Sequence, residues 1–413
     1  MSKTKTSDVR FVAELYPRLK PDDEVIERYR LCISELPPIV LARDGILVDG
    51  YHRWQAHVRE DVEEIEAEDL GNLVDVEIFN ESIRRNATHG HQLSGKDKKA
   101  LAGKVFNNVS HLSSAERIAH VSKILSVSHA TVERWTADQR QDERKQQQEK
   151  AWDLWLDCKS EREIGNELGV TQPSVNGWLN KFAADAGNLS PPESRQHFDV
   201  WSFQTADKTA GNQSYFGACP PQILENLLWF YTEPKTSVVV DLFAGSGTTI
   251  DVAKAMGRRV WAADIRGNHY APNLPIHQHD ITTGWPKEAP KKADLIFLDP
   301  PYWKQAAGRY SEEPGELAEM SLDAFYDSWF KLVAVCREHL TKAGRIAYII
   351  SPTEDKEMGR VVDHATEMIP PECTVERRII VPYSTQQATG QQVEWAREKK
   401  TMLKLYRDLV IIQ

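Results

Sequence analysis

The run Asp294-Leu295-Ile296-Phe297-Leu298-Asp299-Pro300-Pro301-Tyr302-Trp303 closes an apolar stretch on an acid, two prolines and an aromatic ring. A carboxylate and a ring shown together can accept hydrogen bonds and offer a flat face. Leu295 to Leu298 lack polar alternation, as a strand covered on both sides does, and Pro300 and Pro301 cannot extend a hydrogen-bonded ladder. The strand must therefore stop and display Asp299 and Tyr302. In open α/β sheets ligands bind beyond the carboxyl ends of the strands, which makes Asp299, Pro300, Pro301 and Tyr302 a candidate active site.

A second cluster lies upstream. Val238-Val239-Val240 reads as a buried strand, followed by Asp241-Leu242-Phe243-Ala244-Gly245-Ser246-Gly247-Thr248-Thr249 and a helix through Met256. Strand, glycine-rich turn and helix open a doubly wound sheet, in which glycines let the backbone approach a ligand and the helix offers its amides. No lysine follows the second glycine, so a phosphate-cradling loop is disfavoured. The next strand, Arg259 to Asp264, ends in an acid about 20 residues after the glycines, where a carboxylate can take ribose hydroxyls. Asp280, after His279, can reach the adenine of the same ligand.

These elements need a larger frame. The 413 residues suffice for two or three domains, with 41% hydrophobic and 27% charged residues as in ordinary soluble proteins. No apolar run approaches the roughly 18 residues of a membrane span, and the polar start Met1-Ser2-Lys3-Thr4-Lys5-Thr6 is unlike a secretory signal, so a cytoplasmic location and no membrane partner are expected. The five cysteines are widely spaced, which fits neither a disulfide framework nor a zinc site, and no metal is expected. A formal net charge of −10 confines any nucleic-acid contact to local basic patches.

In the first 95 residues, Pro38-Ile39-Val40-Leu41-Ala42-Arg43-Asp44-Gly45-Ile46-Leu47-Val48-Asp49 places two β-rich runs around an Asp-Gly, a hairpin signal. Gly50-Tyr51-His52-Arg53 then opens a helix, Tyr51 to Arg59, and free amides, helix dipole and cationic side chains together make an anion site. This stretch, with Glu81-Ser82-Ile83-Arg84-Arg85-Asn86-Ala87-Thr88-His89-Gly90, resembles the N-terminal domain of ParB-type partition proteins within the ParB/sulfiredoxin-like fold. The resemblance implies a nucleoside triphosphate, CTP or ATP, with its phosphates at Gly50, His52 and Arg53. Sulfiredoxins carry a cysteine where Tyr51 stands, and the ParB arginine pair is His52-Arg53 here. The plainer alternative is a DNA-recognition or homodimerisation module that keeps only the fold.

From 96 to 190 the pattern is helical and repeats itself. Leu125-Ser126-Val127-Ser128-His129-Ala130-Thr131-Val132-Glu133-Arg134-Trp135 aligns with Leu168-Gly169-Val170-Thr171-Gln172-Pro173-Ser174-Val175-Asn176-Gly177-Trp178. Each has a tight turn, a hydroxyl N-cap and a short helix with a buried apolar face, as a helix-turn-helix requires. The outward residues His129, Thr131 and Arg134, and Gln172, Ser174 and Asn176, can pair with base edges or phosphates of double-stranded DNA. The plainer reading is two helical hairpins that merely pack. Gln139 to Lys150 reads as a solvated helical connector, and Ala183 to Glu193 as a linker.

The segment 191–413 resembles the DNA methyltransferases that methylate exocyclic amines with S-adenosylmethionine. Asp241 to Thr249 followed by Asp299-Pro300-Pro301-Tyr302 carries the likeness, supported by Asn212-Gln213-Ser214-Tyr215-Phe216, Pro220-Pro221 and a helix from Gln222 to Thr232. It implies a Rossmann-like doubly wound α/β domain, with S-adenosylmethionine held by Asp241, Phe243, Ala244, Gly245, Gly247, Thr248, Thr249, Asp264 and Asp280. Asp299 and the Pro300 carbonyl would accept the hydrogens of an amine, and Tyr302 would stack on a base flipped from the duplex, with Trp303 as a further wall. Aspartate at the first position implies adenine N6 over cytosine N4. Ring-carbon methylation would need a thiolate, and Cys219 lies outside the Asp299 stretch. Only about 50 residues separate Thr249 from Asp299, room for a strand, a helix and a strand by the usual lengths, so sequence choice is expected of residues 1–190. Two alternatives stay open: RNA as the substrate, and a ParB-like partition or regulatory protein with an inactive methyltransferase domain.

Overall fold

The computed structural model describes residues 2–88, 93–187, 191–203, 208–212, 218–305, 317–355, 360–383, 390–400 and 402–413. The chain forms two compact units, Met1–Gln146 and Gln147–Gln413.

The first unit holds β1 (Ser2–Lys5), α1 (Asp23–Arg30), β2 (Ile39–Ala42), β3 (Ile46–Asp49), α2 (Tyr51–Arg59), β4 (Glu64–Asp69), α3 (Asp75–Thr88), α4 (Gly95–Asn108), α5 (Ser114–Leu125) and α6 (His129–Trp135). Its sheet runs β1-β4-β2-β3, with β2 parallel to β4. The expected hairpin joins β2 to β3: Asp44 and Gly45 both take positive φ, 55° and 71°, the twist that lets antiparallel strands close tightly. A Cβ on Gly45 would lie 2.6 Å from the Asp8 carbonyl oxygen, so the turn also needs glycine for space.

The boundary expected at 95 does not coincide with the division of the fold. Phe79, Ile83 and Ala87 of α3 share one core with Leu101, Val105 and Phe106 of α4, Val121 and Leu125 of α5, and Val132 of α6. An amphipathic α3 buries its stripe against the helices that follow, which ties the first helix-turn-helix to the N-terminal sheet domain. The connector is α7 (Ala137–Leu156), and the division falls within it.

The second unit starts with α8 (Glu161–Leu168) and α9 (Gln172–Gly187), continuing through α10 (Pro221–Tyr231), β5 (Val238–Asp241), α11 (Thr248–Ala255), β6 (Arg259–Asp264), β7 (Ile276–Gln278), β8 (Ala293–Leu298), α12 (Leu322–Glu338) and β9 (Leu340–Ile350). A small hairpin, β10 (Thr353–Asp355) and β11 (Arg360–Val362), then α13 (His364–Glu367), β12 (Val375–Pro382), α14 (Gly390–Lys399) and β13 (Tyr406–Ile412) complete it. The helical hairpin α8–α9 belongs to this unit, not to a separate segment ending at 190. The Arg259 guanidinium of β6 lies 4.0 Å over the Trp155 ring and donates to the Cys158 carbonyl at 3.2 Å, while Lys254 of α11 pairs with Asp157 at 2.6 Å. Residues 183–187 of the expected linker are helical, and 188–190 lie outside the described residues.

The central sheet has the order β12-β13-β9-β8-β5-β6-β7. β5, β6, β7, β8 and β9 are mutually parallel, and β13 is antiparallel to both its neighbours, so only β13 runs against the rest. Alternate residues divide between two cores, as a period of two demands: Val239, Leu295, Phe297, Ile349 and Leu409 face α10 and α11, whereas Val240, Ile296, Leu298, Tyr348 and Val410 face α12. Between β6 and β8 the described chain has β7 and a 3-10 turn at Ile281–Thr283 where a helix was expected. Gly267 with φ 56°, Pro272 and Pro275 account for this, since none continues a helix.

Candidate active site at the carboxyl edge of the sheet

The parallel strands end together at Asp241, Asp264, Leu298 and Ile350. Asp299 follows β8 immediately, and Tyr302 donates its hydroxyl to the Asp299 carboxylate. The segment is pinned on two sides. Trp303 donates Nε1–H to the Met320 carbonyl at 2.8 Å, and its own carbonyl accepts from Thr353 at 3.2 Å. Gln305 donates to the Pro352 carbonyl at 3.0 Å and to Thr353 Oγ1 at 2.9 Å. Trp303 is thus committed to the core beside Leu298 and Phe325 and does not line the site, contrary to the sequence reading. The stretch 306–316 lies outside the described residues.

The glycine loop connects β5 to α11. Gly245 and Gly247 have φ of 42° and 80°, and a Cβ on Gly247 would come within 2.3 Å of Leu274 Cδ1, so a side chain there is strained by conformation and would have to displace that leucine's tip. Ala244, Gly245, Gly247, Thr248 and Thr249 are buried, and Phe243 is half-buried. Asp241 accepts from the Phe243 amide at 2.9 Å, and Asp264 accepts from Gly245 at 2.9 Å and from Arg266 at 3.0 Å. Asp280 binds the Thr282 amide at 2.9 Å through one oxygen and caps the 3-10 turn. From upstream, Gly211 donates to Asp251 at 2.8 Å and Asn212 to the Ser246 carbonyl at 2.9 Å. That docks 208–212 on the loop; Gln213 to Phe216 lie outside the described residues.

The electrostatics are those of acids gathered out of water. Burial pushes the Asp241 carboxyl up to about 7, against hydrogen bonds from Thr249 and Phe243, and Asp299 and Asp264 add to the rise. Burial likewise raises Asp264. Asp299 is pushed up to about 6, again by burial, with Arg407 and the Tyr302 hydroxyl pulling the other way.

Three residues at this edge were not assigned to it from sequence. Cys219, just ahead of α10, is buried and senses Asp299, Asp241 and Arg407; burial pushes its thiol up to about 12, so it stays protonated. Tyr383 follows the end of β12, and Arg407 is the second residue of β13, with its guanidinium 4.6 Å from the Tyr383 ring centroid. The sequence signal for Tyr383 was slight: an aromatic after a strand-ending proline, as at Tyr302. Arg407 had none beyond a charged residue at the head of an apolar run.

A family model of DNA methylases matches residues 94–271. The match takes in the helix-turn-helix repeat and the glycine loop, begins ahead of the boundary expected at 191, and stops before Asp299. It supports methyltransferase chemistry at this edge. No curated protein sequence matches the chain. Among solved structures, the chain is similar to TrmN from Thermus thermophilus at 16% identity and a TM-score of 0.30, over 48% of this chain and 49% of that one. It is similar to a Pnob8-like ParB-N domain at 12% identity and a TM-score of 0.28, over 32% of this chain and 65% of that one. A third is the C-terminally truncated chromosome-partitioning protein ParB from Caulobacter crescentus, solved with the centromeric parS site, at 16% identity and a TM-score of 0.26 over 46% of this chain and 94% of that one. The chain thus spans about half the length of TrmN and under two thirds of the ParB-N domain.

In the first unit, Gly50 with φ 102° precedes α2, and Gly50 to Arg53 line a cavity of about 100 Å³ together with Tyr16, Ser82 and Asn86. The two sequence stretches assigned to a nucleotide thus meet at one hollow. His52 Nε2 accepts from the Asp22 amide at 3.0 Å, and Arg53 pairs with Asp49 at 3.0 Å, so both side chains already have partners within the chain. His89 and Gly90 lie outside the described residues.

The two helix-turn-helix candidates share their internal contacts. Ser126 and Gly169 both end the first helix in the left-handed region. Ser122 donates to the Val127 carbonyl at 2.6 Å, and a Cβ on Gly165, the matching position, would lie 2.8 Å from the Val170 carbonyl. Ser128 caps Thr131, and Thr171 bonds Ser174 across the same step. His129 and Arg134 are exposed and Thr131 half-buried. In the second pair Gln172 and Asn176 donate to Glu161 at 3.1 and 2.7 Å, which occupies two of the residues expected to meet DNA. Among the described residues no helix is long and apolar enough to cross a membrane, and no cluster of side chains could hold a metal ion.

Proposed function

We propose that the chain is an S-adenosylmethionine-dependent methyltransferase that modifies an exocyclic amine of DNA, adenine N6 in preference to cytosine N4. The observation that carries this is the shared edge of Asp299-Pro300-Pro301-Tyr302 with the Asp241-to-Thr249 loop and Asp264. The residues suit a cationic nucleoside: the carboxyls of buried Asp241 and of half-buried Asp264 and Asp299 are all pushed up, and a sulfonium beside them relieves that cost. S-adenosylmethionine, when bound, supplies an electrophilic methyl group. Asp299 and the Pro300 carbonyl accept the two amine hydrogens, which localises the nitrogen lone pair otherwise spread into the ring. Tyr302, already fixed to Asp299, offers its ring to the extruded base. The high thiol pKa of Cys219 speaks against a covalent route to the ring carbon.

DNA as the acceptor rests on the tandem helix-turn-helix units, whose recognition helices suit a major groove and not an A-form duplex. Sequence choice would then reside in residues 1–190, where Arg134 is an exposed cation on the first recognition helix. Transfer of labelled methyl to duplex DNA and to RNA, by wild type and Asp299→Ala, tests the reading. Transfer to DNA alone, abolished by the substitution, is expected; equal labelling by Asp299→Ala would refute it. Arg134→Ala should weaken DNA binding and lower its salt slope by about one. Both N-terminal stretches line one cavity, whose volume of about 100 Å³ has room for a phosphate group, so a nucleoside triphosphate would have to open it further. Equilibrium binding of CTP and ATP, with Arg53→Ala as control, checks it, and no binding by wild type would leave the domain a scaffold.

A further inference from the structure

The segments that follow β8 and β9 are neighbours, because the two strands are parallel and finish at the same edge, with Leu298 beside Tyr348. Thr353, soon after β9, reaches across to Trp303, soon after β8. Its hydroxyl donates to the Trp303 carbonyl at 3.2 Å and accepts from Gln305 Nε2 at 2.9 Å. Behind Thr353 lies His364, fully buried at the start of α13. Its Nε2 stands 3.0 Å from Thr353 Oγ1, its Nδ1 2.9 Å from the Tyr326 hydroxyl of α12, and its ring meets that of Trp303 edge-on with centroids 5.9 Å apart. Tyr326 in turn is 3.1 Å from Glu367 Oε2. None of these groups enters the methyl-transfer chemistry proposed above.

Donor and acceptor chemistry sets the directions. Gln305 Nε2 can only donate and the Trp303 carbonyl can only accept, so a Thr353 hydroxyl that gives its one hydrogen to Trp303 needs a hydrogen on His364 Nε2. Burial pushes the His364 ring down to about 4, with Lys404 adding to the fall and Asp363 opposing it, so near pH 7 only one ring nitrogen carries hydrogen. With that hydrogen on Nε2, Nδ1 accepts from Tyr326 and Glu367 gives up the tyrosine hydroxyl. With it on Nδ1, Tyr326 turns to Glu367, Thr353 donates to the ring, and the Trp303 carbonyl keeps the Gln305 amide of its own turn, at 2.7 Å. Glu367 is partly exposed and lies 3.6 Å from Arg360, so water and a cation compensate it. Trp303 is buried, where a lost bond costs more, and this favours the hydrogen on Nε2.

We propose that His364 is a positioning residue for methyl transfer: its Nε2–H goes to Thr353, whose hydroxyl then clamps the Trp303 carbonyl and with it the turn Asp299-Pro300-Pro301-Tyr302. Its purpose, though not the whole of its test, rests on the methyltransferase function proposed above. The segment leaves the sheet at Leu298, Pro300 and Pro301 fix φ at its middle, and Trp303 is its far end. With one end in the ladder and the other clamped, Asp299 and the Tyr302 ring have little freedom to drift, and a drift of about 1 Å costs roughly a hundredfold in rate.

The test reads the ring, the rate and the turn. In full-length protein with 15N-labelled histidine rings, the His364 signals are assigned by their loss in His364→Gln. An Nε2–H tautomer that does not titrate from about pH 6 to 8 is expected. In steady-state transfer, Thr353→Val should lower kcat by roughly ten- to a hundredfold. The KM for DNA and the affinity for S-adenosylhomocysteine should stay close to wild type. Thr353→Ser keeps the hydroxyl and should restore most of the rate. Should Thr353→Val not fold, His364→Leu carries the loss and His364→Gln, whose amide can donate from the place of Nε2, the recovery. Hydrogen exchange at the Lys304 and Gln305 amides should quicken in the valine and leucine variants and slow again in the serine and glutamine ones. An Nδ1–H tautomer, or kcat and exchange both unchanged in Thr353→Val, would overturn the proposal. So would equal losses in Thr353→Val and Thr353→Ser, which would make the role one of packing. If wild type transfers no methyl, the methyltransferase function fails, while tautomer and exchange still decide whether His364 holds the turn.

Discussion

Gly245 donates its backbone N–H to Asp264 Oδ2 at 2.9 Å, tying the turn after β5 to the last residue of β6. With Arg266 bonded to the other oxygen at 3.0 Å, the carboxylate has a fixed orientation and still keeps lone pairs for a ligand. The residue expected to hold a ribose also holds the loop beside it.

Asp264→Ala should therefore act twice. The affinity for S-adenosylhomocysteine, read by calorimetry, is expected to fall by roughly ten- to a hundredfold, the size of one or two hydrogen bonds to a charged group. Unchanged affinity would remove Asp264 from the cofactor site.

Gly211 lies against the start of α11. Its φ is 67°, and a Cβ there would come within 2.4 Å of Thr248 Oγ1. Gly211→Ala should lower stability by about 1–3 kcal/mol in denaturant melts, through strain and displacement of the helix terminus. Affinity for the cofactor should drop with it. Gly177→Ala in α9, where nothing stands within 4 Å, is the contrasting case. It should gain up to about 1 kcal/mol from helix propensity.

Asp241 predicts a pH dependence. Its carboxyl rises from 3.8 in the unfolded chain to about 7 in the fold, so the folded state binds its proton more tightly. Stability from this group is full below about pH 4 and is lost as pH climbs through 7. Asp241→Asn should therefore melt higher than wild type at pH 8, with the gap closing toward pH 4. A gap that widens as pH falls would contradict the buried, proton-retaining carboxyl.

Cys219 gives a test of the reaction itself. Its thiol sits near Asp299 but is pushed up to about 12, so almost none is thiolate at neutral pH. Cys219→Ala should leave methyl transfer within about twofold of wild type, because amine methylation needs no nucleophilic sulfur. Loss by orders of magnitude would point to ring-carbon chemistry.

Several of these features were legible in the sequence because each resides in a short contiguous pattern. Asp44-Gly45 marks a hairpin since few residues accept positive φ, and Leu295 to Leu298 mark a strand buried on both faces since only such a strand omits polar residues. The repeat from Leu125 and Leu168 was visible because a helix-turn-helix encodes its turn, cap and buried face within eleven or so residues. Domain limits were less legible. α3 and α8–α9 choose partners by apolar stripes that many surfaces could cover, and composition near 95 and 190 does not say which surface wins.

Asp299-Pro300-Pro301-Tyr302 and the glycine loop are thus statements of the sequence by itself: proline stops a ladder and glycine permits a turn wherever the chain goes. Who surrounds them was decided by tertiary structure. Tyr383 and Arg407 are far apart in the chain and meet because β13 enters the sheet antiparallel between β9 and β12. Strand order and direction depend on nonlocal pairing that no local pattern specifies, and a buried arginine finds its aromatic neighbour only where the fold brings one to it.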